Sequence, residues 1–195
     1  MVELKDRELI IVFTGPDGSG RKTIADSVGS TLGISKVLSY ATRKPRPGEV
    51  DGQDYHFITP QLYEQLHAGG EFIESVTISN NQYGLRDKDV EQSFQHNGCI
   101  YLILNPEGAE ILKRMYGDHV IRLFIYADRQ TVQTRQRDEG LSEEVIADHL
   151  SHYESDMSYQ SQCEHAYENY DLAHTIFDIS NTLEGYLKRD LVERD

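Results

Sequence analysis

The order of three segments near the N-terminus limits the possible folds of this chain more than any other feature. Residues 9–13 form an unbroken apolar run rich in β-branched side chains, which is typical of a strand buried on both faces of a parallel sheet. Three glycines follow within residues 15–20, and apolar residues then recur at helical spacing through 22–32. Because neighbouring parallel strands require a crossover helix, this order predicts an α/β fold built on a parallel sheet.

The same alternation of strand and helix returns in the second half of the chain. We predict strands at 98–104, 120–126 and 175–179, and helices at 107–115, from Asp128 to about residue 137, from Ser142 onward and at 182–191. Asp128 and Ser142 are predicted to cap their helices, because their side-chain oxygens accept hydrogen bonds from free amides of the first turn. Residues 37–97 break the alternation with prolines, glycines and short β-like pieces, so they are predicted to form an inserted subdomain.

Composition excludes several classes of protein. The 195 residues carry a net charge of −14 and have a pI of about 4.9, which argues against binding to nucleic acid or to anionic membranes. No apolar run approaches the ~20 residues that span a bilayer, and the charged N-terminus is not a signal peptide. The histidines and the two cysteines, Cys99 and Cys163, lack the spacing of a metal site, so no metal ligand is predicted. We therefore expect a cytoplasmic protein with reduced thiols.

The negative charge is concentrated in the last third of the chain. Residues 1–50 carry a net charge of +2 and residues 51–137 a net charge of −4, whereas residues 138–195 carry −12. No lysine or arginine occurs between Asp138 and Leu187. Such a run is usually a solvated acidic surface, and it leaves this part of the chain without a cation for holding an anionic ligand.

The glycine-rich turn after the first strand has the sequence context of a phosphate-binding loop. Glycines permit the backbone to turn its amide groups inward around phosphate oxygens, and the N-terminus of the following helix adds partial positive charge. The predicted phosphate contacts are the loop residues Gly15, Asp17, Gly18, Ser19, Gly20, Arg21, Lys22 and Thr23. A structural turn that closes the first strand onto the helix is the alternative.

The loop departs from the usual phosphate-binding pattern, in which a lysine and then a hydroxyl residue follow the last glycine. Arg21 occupies the lysine position, and Lys22 occupies the hydroxyl position. Arg21 retains the positive charge on a planar group, whereas Lys22 cannot ligate a cation. A one-residue slip would place Lys22 and Thr23 in the motif, but the loop would then have to absorb one extra residue.

The segment at 39–55, with the sequence SYATRKPRPGEVDGQDY, closely resembles the GMP-binding signature of guanylate kinases. The loop at 15–23 resembles the ATP loop of that family, and the motifs at 71–74 and 82–84 resemble its further nucleotide contacts. The similarity extends from about residue 9 to 178 and is strongest up to residue 108. The resemblance implies a single domain with a three-layer P-loop fold, which comprises a parallel-sheet core at 1–36, 98–137 and 157–195, a small β-rich GMP-binding insertion at 37–97 and a helical lid at 138–156.

The acceptor half of the resemblance keeps its charged groups, although Leu85 stands where the family usually has a serine or threonine and one hydrogen bond to guanine is expected to be lost. Guanidinium groups three residues apart, on Arg43 and Arg46, suit a 5′-monophosphate dianion, which takes bidentate donors. By resemblance, Glu74 accepts hydrogen bonds from the adjacent N1–H and N2–H groups of guanine, and this pairing selects against adenine. The predicted GMP-binding residues are Ser39, Arg43, Arg46, Tyr55, Glu74 and Tyr83. For the arginines taken alone, a solvated basic turn is the alternative.

The ATP half of the resemblance is altered. Ile103 and Asn105 stand where the family has acidic residues, and His149 stands where its lid helix has an arginine that reaches the transferring phosphate. The resemblance therefore implies Mg²⁺ only if the protein is catalytic, and the protein ligands of the ion are missing from the pattern. The candidate catalytic cations are Arg21, Lys22, Arg135 and Arg137.

Two functions are compatible with this sequence. The first is phosphoryl transfer from ATP to GMP, giving ADP and GDP, at a rate reduced by the missing cations. The second is a non-catalytic module on the same fold that senses GMP or docks a phosphorylated protein segment. The expected ligands are GMP and GDP. ATP and a protein partner are further possible ligands. The sequence leaves both functions open.

Overall fold

The computed structural model describes residues 3–95 and 98–192, with side chains described as far as Leu187. In chain order its elements are β1 (Leu9–Thr14), α1 (Arg21–Leu32), β2 (Ser35–Lys36), β3 (Tyr40–Ala41), β4 (His56–Phe57), α2 (Pro60–Ala68), β5 (Phe72–Ile78), β6 (Asn81–Arg86), α3 (Asp87–Phe94), β7 (Cys99–Ile103), α4 (Pro106–Tyr116), β8 (Val120–Tyr126), α5 (Arg129–Asp138), α6 (Glu143–Ser158), β9 (His165–Glu168) and α7 (Leu172–Val192). Short 3₁₀ turns lie at Gly117–His119 and Tyr159–Gln162. Among these described residues, no helix combines the length and the apolarity that crossing a bilayer requires.

A parallel sheet in the order β2-β7-β1-β8-β9 forms the centre of the molecule. Side chains alternate between its two faces, because successive residues of a strand point in opposite directions. On β1, Ile10 and Val12 pack with α3 and α4, whereas Ile11 and Phe13 pack with α1 and α7. Helices therefore cover both faces of the sheet, which confirms the predicted α/β fold with three layers.

A second, smaller sheet in the order β4-β3-β6-β5 lies between residues 40 and 86. It mixes parallel and antiparallel pairing, and it falls within the stretch that breaks the strand–helix alternation. Strands β5 and β6 are joined at Ser79 and Asn80, which both adopt positive φ, as a tight hairpin turn requires. The hydroxyl group of Ser79 donates to Asp148 on α6 at 2.6 Å, so the second sheet and α6 are in contact.

The predicted elements around the central strands are confirmed, with ends that differ by about one residue. Both predicted caps also form. Oδ1 of Asp128 accepts hydrogen bonds from the amides of Gln130 and Thr131 at 3.0 Å, and Oγ of Ser142 accepts one from the amide of Val145 at 3.4 Å. These contacts satisfy amide groups that have no partner inside the helix. The caps therefore fix where α5 and α6 begin.

The predicted late strand at 175–179 is wrong, because these residues belong to α7. Their β-branched composition is typical of a strand, but Ile179 and Leu183 are buried at helical spacing against α1. The last strand is instead β9, which pairs in parallel with the edge of β8. Its sequence, HAYE, is too polar to be recognised as a strand.

Candidate functional site

The loop between β1 and α1 lies so close to neighbouring elements that two of its positions exclude a side chain. At Gly15, φ is +130° and a Cβ atom would lie 2.0 Å from the carbonyl oxygen of Ile125. At Gly20, φ is +90° and a Cβ atom would lie 2.4 Å from Nδ2 of Asn169. Helix α1 begins directly after Gly20, which has no side chain to cap its first amides, and within the described residues no side chain accepts a hydrogen bond from them. The loop therefore presents an uncapped helix N-terminus, which suits a phosphate group.

Arg135 and Asn169 brace the outer side of this loop. Nδ2 of Asn169 donates to the carbonyl oxygen of Ser19 at 2.8 Å, and Nη1 of Arg135 donates to the same oxygen at 3.2 Å. Nη2 of Arg135 also donates to the carbonyl oxygen of Asn169 at 2.7 Å. Arg135, one of the four predicted catalytic cations, thus lies beside the loop, with Nη1 at 3.8 Å from the Cβ position of Gly20.

Arg21 places its guanidinium group between the loop and the end of β7. Nη2 donates to Oδ1 of Asp17 at 2.9 Å, and Nη1 donates to the carbonyl oxygen of Leu104 at 3.1 Å. Arg21 is also the first residue of α1, so the loop holds no extra residue and does not adopt the one-residue slip. The two contacts fix a largely buried cation at the centre of the site.

Lys22 and Arg137, the other two predicted catalytic cations, are bound to carboxylates. Nζ of Lys22 lies 2.9 Å from Oδ1 of Asp54 and 3.7 Å from Oδ2 of Asp26. Arg137 forms a bidentate pair with Glu143 at the surface, with distances of 2.7 and 3.0 Å. All four cations thus have partners in the free protein. Arg21 and Arg135 are held against the loop, Lys22 is a loop residue paired with Asp54, and Arg137 is paired with Glu143 at the surface.

A cavity of about 310 Å³ lies beside the loop. Every residue predicted to bind GMP lines it: Ser39, Arg43, Arg46, Tyr55, Glu74 and Tyr83. A second cavity of about 390 Å³ is lined by the loop residues Asp17, Gly18, Gly20, Arg21, Lys22 and Thr23. Of the predicted loop contacts, Gly15 and Ser19 line neither cavity. Within the described part of the chain, seven residues line both cavities and so lie where the acceptor side meets the loop side: Asp17, Arg21, Ser39, Arg43, Arg46, Tyr55 and Ile103.

Arg43 is oriented by Glu49, a residue that the sequence analysis does not identify. Nη1 and Nη2 of Arg43 lie 2.5 and 2.8 Å from the two carboxylate oxygens of Glu49, and Nε donates to the Tyr83 hydroxyl at 3.2 Å. The guanidinium carbon also lies 5.0 Å from the centre of the Tyr55 ring. Because Glu49 additionally accepts a hydrogen bond from the amide of Arg46 at 2.7 Å, one carboxylate organises both arginines.

Glu74 presents a buried carboxylate to the first cavity. The residue is 3% exposed, and its Oε2 has no hydrogen-bond partner among the described residues. Burial, with a smaller contribution from Glu107, raises the pKa of Glu74 to about 8. Gly108 on α4 packs so closely that a Cβ atom there would lie 2.6 Å from Oε1 of Glu74. A buried oxygen of this kind suits a ligand that donates hydrogen bonds.

The raised pKa of Glu74 makes the stability of the free protein fall as the pH rises. The pKa is about 8 in the folded chain against an ordinary value of 4.5, so the folded state retains a proton that the unfolded chain has released. This contribution to stability is complete below pH 4.5 and is lost as the pH rises through about 8. The melting temperature, measured by thermal unfolding across this pH range, should fall more steeply with rising pH for the parent chain than for Glu74→Gln. If the melting temperatures of the two proteins change with pH in the same way, the pKa of Glu74 is not raised.

Known proteins resemble this chain over most of its length. The family model for guanylate kinase matches residues 6–186. The chain belongs to the guanylate kinase family. The guanylate kinase of Fusobacterium nucleatum is 28% identical over 180 residues, which cover 92% of this chain and 97% of that protein. The guanylate kinase of Lactococcus lactis is 31% identical over 168 residues, which cover 85% of this chain and 82% of that protein. The crystal structure of guanylate kinase from Anaplasma phagocytophilum matches with a TM-score of 0.74 and 26% identity, over 93% of this chain and 87% of that one.

Guanylate kinases generally act with Mg²⁺, but the side chains of this chain do not fit a metal held by the protein. Among the described residues, no group of three histidine, cysteine or carboxylate side chains is placed to hold a metal ion. Lys22, at the position of the loop hydroxyl, is paired with Asp54, and Ile103 adds an apolar side chain to the wall of the first cavity. Asn105 caps α4 by accepting a hydrogen bond from the amide of Gly108 at 3.0 Å.

Two residues on α6 reach the site in ways that the sequence does not predict. His149, at the position of a family arginine, is buried, and its Nε2 lies 2.9 Å from Nη2 of Arg46. Burial raises the pKa of Asp156 to about 6, while the charge of Arg21 opposes this shift. The sequence marks His149 only by the arginine that it replaces and gives no signal for Asp156, because the contacts of both residues depend on how α6 packs over the loop.

Proposed function

We propose that this chain transfers the terminal phosphate of ATP to GMP, giving ADP and GDP. The observation that carries the proposal is the unpartnered oxygen of Glu74, within the described residues, in a cavity that also contains Arg43 and Arg46. Guanine offers N1–H and N2–H as adjacent donors, and Glu74 accepts both hydrogen bonds once its carboxyl group has released the proton that its raised pKa lets it hold in the free protein. Adenine carries an acceptor at N1, so it would set a lone pair against the buried carboxylate.

The acceptor phosphate has suitable donors among the other residues that line the cavity. Glu49 keeps Arg43 in place as a planar cation, and the hydroxyl groups of Ser39 and Tyr55 lie on the same lining. Among the described residues, Arg46 uses Nη2 for His149, and its other side-chain donors have no protein partner. Arg46 therefore keeps guanidinium donors for a dianion, whereas Arg43 has to exchange part of its bidentate contact with Glu49 for the phosphate.

Arg21 is the residue best placed to stabilise the phosphoryl group in transit. It lies at the boundary of the two cavities, and its contacts with Asp17 and Leu104 fix its position before any nucleotide binds. Catalysis of phosphoryl transfer consists mainly of positioned positive charge, which a fixed guanidinium supplies without reorganisation. Arg135 adds a second cation beside the loop.

We infer that the reaction is slower than a full set of cations would allow. From α6, the lining of the acceptor cavity contains Val145, Asp148, His149 and His152, with no lysine or arginine among them. Arg137 is held by Glu143 at the surface and lines neither cavity, and Lys22 shares its ammonium group with Asp54. An assay that couples ADP release to NADH oxidation, with Mg-ATP and saturating GMP, tests the proposal. GMP-dependent ADP release is expected, and a rate equal to that without protein would overturn it.

A non-catalytic GMP-binding module is the second candidate, and the ion pairs of Lys22 and Arg137 favour it. Such a protein would bind GMP, or a phosphorylated segment of a partner, through the same acceptor cavity. Calorimetry with GMP and with ATP in separate titrations distinguishes the two candidates. Binding of GMP without measurable binding of ATP supports the module, whereas tight binding of both nucleotides supports the kinase.

Arg43→Ala is expected to weaken GMP binding by roughly 2–5 kcal/mol, because it removes a largely buried guanidinium and leaves Glu49 without its partner. Calorimetric titration with GMP measures the change. Arg114→Ala is the matched control, since Arg114 is an exposed arginine on α4 that lines neither cavity. If the two variants bind GMP equally well, Arg43 does not contact the phosphate.

We place this reaction in the cytoplasm. ATP and GMP are available there, and thiols stay reduced in that compartment. Cys99 and Cys163 are both free thiols in the structure, as such a location requires. Fractionation of cells that express the protein, followed by detection in the cytosolic and membrane fractions, tests this assignment.

A further inference from the structure

Three hydrogen bonds connect Arg46 in the acceptor cavity to the glycine loop by way of α6 and α5. Nη2 of Arg46 lies 2.9 Å from Nε2 of His149, and Nδ1 of His149 lies 2.6 Å from Oε1 of Gln136. Nε2 of Gln136 donates to the carbonyl oxygen of Asp17 at 3.3 Å. His149 is 7% exposed and Gln136 is 1% exposed, so little water competes for these contacts. We call these four residues the relay.

The chemistry of the end groups fixes the direction of each bond in the relay. A guanidinium group only donates, so Nε2 of His149 must accept, and the ring proton must lie on Nδ1. Nδ1–H then donates to the oxygen of Gln136, whose amide nitrogen donates to Asp17. A protonated imidazole has no acceptor to offer Arg46. The relay therefore exists only while His149 is neutral.

The charged groups around His149 come from every element that packs against it. Arg46 on the acceptor segment and Arg21 on α1 favour the neutral ring, whereas Asp17 on the loop and Asp148 on α6 favour the protonated ring. Burial has the largest effect, and the pKa of His149 is lowered from its ordinary value. The relay is therefore complete at neutral pH and breaks in acid.

Arg46 depends on the relay, whereas Arg43 does not. Glu49 holds the guanidinium group of Arg43 with two bonds from the same chain segment. Among the described residues, the partner of the Arg46 side chain is His149, which lies 103 positions further along the chain. The placement of Arg46 at the cavity therefore follows the position of α6.

We propose that His149 is a positioning residue that sets Arg46 for the acceptor phosphate and couples acceptor binding to the loop that holds the donor phosphates. This inference rests on the proposed function, since it requires a phosphate at each end of the relay. A phosphate bound by Arg46 limits the motion of the glycine loop, and a phosphate bound by the loop limits the motion of Arg46, because His149 and Gln136 connect the two. Acceptor and donor nucleotides then bind cooperatively, and the cooperativity is lost once His149 takes up a proton.

Binding experiments on the full chain test this coupling. The affinity for GMP is measured by calorimetry with and without a non-hydrolysable ATP analogue, for the parent protein, His149→Gln and His149→Ala. Glutamine retains an acceptor for Arg46 and a donor for Gln136 but does not titrate. At pH 8 we expect the analogue to strengthen GMP binding about tenfold in the parent and in His149→Gln, and to have no effect in His149→Ala. Ser151→Ala, an exposed change on the same helix, serves as the control.

The pH dependence separates a titrating histidine from a merely structural one. Because Glu74 also titrates, the informative quantity is the ratio of GMP affinities of the parent and His149→Gln at each pH. We expect this ratio to be constant at pH 7–8 and to fall by up to about tenfold once the pH drops below the lowered pKa of His149, since only the parent loses the relay. A ratio that does not change with pH would overturn the proposal.

A spectroscopic readout tests the relay without any nucleotide. The ring signals of His149 are assigned in the ¹⁵N-histidine NMR spectrum of the free protein as those that disappear from the spectrum of His149→Gln. We expect the neutral Nδ1–H tautomer at pH 7, and Arg46→Ala should raise the pKa of the ring, because it removes a nearby positive charge. Protonation of the ring at pH 7, or a proton on Nε2, would overturn the relay.

These outcomes separate the inference from the proposed function. The protein could show no turnover and still bind the two nucleotides cooperatively, with the cooperativity abolished in His149→Ala. This result would support the relay and would count only against the kinase reaction. Turnover of GMP combined with equal cooperativity in the parent and in His149→Ala overturns the relay alone. Thermal unfolding of each variant shows whether a loss arises from a failure to fold.

Discussion

Glu74→Gln is expected to weaken GMP binding by on the order of 10²- to 10³-fold while leaving the fold intact. Glutamine has nearly the volume of glutamate, but it offers one acceptor and one donor where guanine needs two adjacent acceptors. Its NH₂ group would face the N2–H₂ group of guanine, donor against donor, at a position that is 3% exposed. The mismatch therefore costs more than the loss of one hydrogen bond.

Calorimetric titration with GMP and with inosine monophosphate measures this effect. Inosine monophosphate lacks the N2–H₂ donor, so the parent protein should prefer GMP, and Glu74→Gln should lose that preference. Glu91→Gln is the matched control, because Glu91 is an exposed carboxylate on α3 that lines neither cavity. Equal affinities of the parent and Glu74→Gln for GMP would show that the carboxylate does not recognise the guanine base.

Arg21→Ala is expected to lower kcat by on the order of 10³-fold and to change GMP affinity by less than about threefold. The residue touches both Asp17 and the end of β7 at the boundary of the two cavities, so its charge acts where the phosphoryl group passes. The acceptor side keeps Arg43 and Arg46 in this variant. Loss of Arg21 therefore affects the transition state more than the bound acceptor.

The conservative variant Arg21→Lys sharpens this test. Lysine retains the charge, but an ammonium group cannot hold Asp17 and Leu104 through a planar fork. We expect an intermediate kcat, and Arg114→Ala again serves as an exposed control. An unchanged kcat in Arg21→Ala, measured on a protein with the parent's thermal stability, would exclude Arg21 from catalysis.

The sequence predicts those parts of the molecule in which local pattern and tertiary packing agree. Strand β1, the glycine loop and α1 follow from an apolar run, from glycines that allow positive φ and from helical spacing. The residues predicted to bind GMP line one cavity, because most of them belong to a single segment and its neighbouring hairpin. The late strand at 175–179 is wrong, because its composition and its spacing disagree and burial against α1 decides between them.

Contacts between distant segments account for what the sequence cannot predict. Lys22 pairs with Asp54, and Arg46 pairs with His149, although these partners are far apart along the chain. The partner of a lysine or arginine side chain depends on distances between side chains, and these distances are set only when the chain folds. The buried state of Glu74 follows in the same way from the approach of Gly108 on α4.

Transfer of a labelled phosphate is the most direct test of the proposed reaction. The protein is mixed with Mg-ATP that carries ³²P at the γ position and with GMP, and the products are separated by chromatography. We predict label in GDP that depends on GMP and on the parent Glu74, with Glu74→Gln giving little GDP. Label that stays in ATP, or appears as free phosphate at the same rate with and without GMP, would contradict the assignment of this chain as an ATP:GMP phosphotransferase.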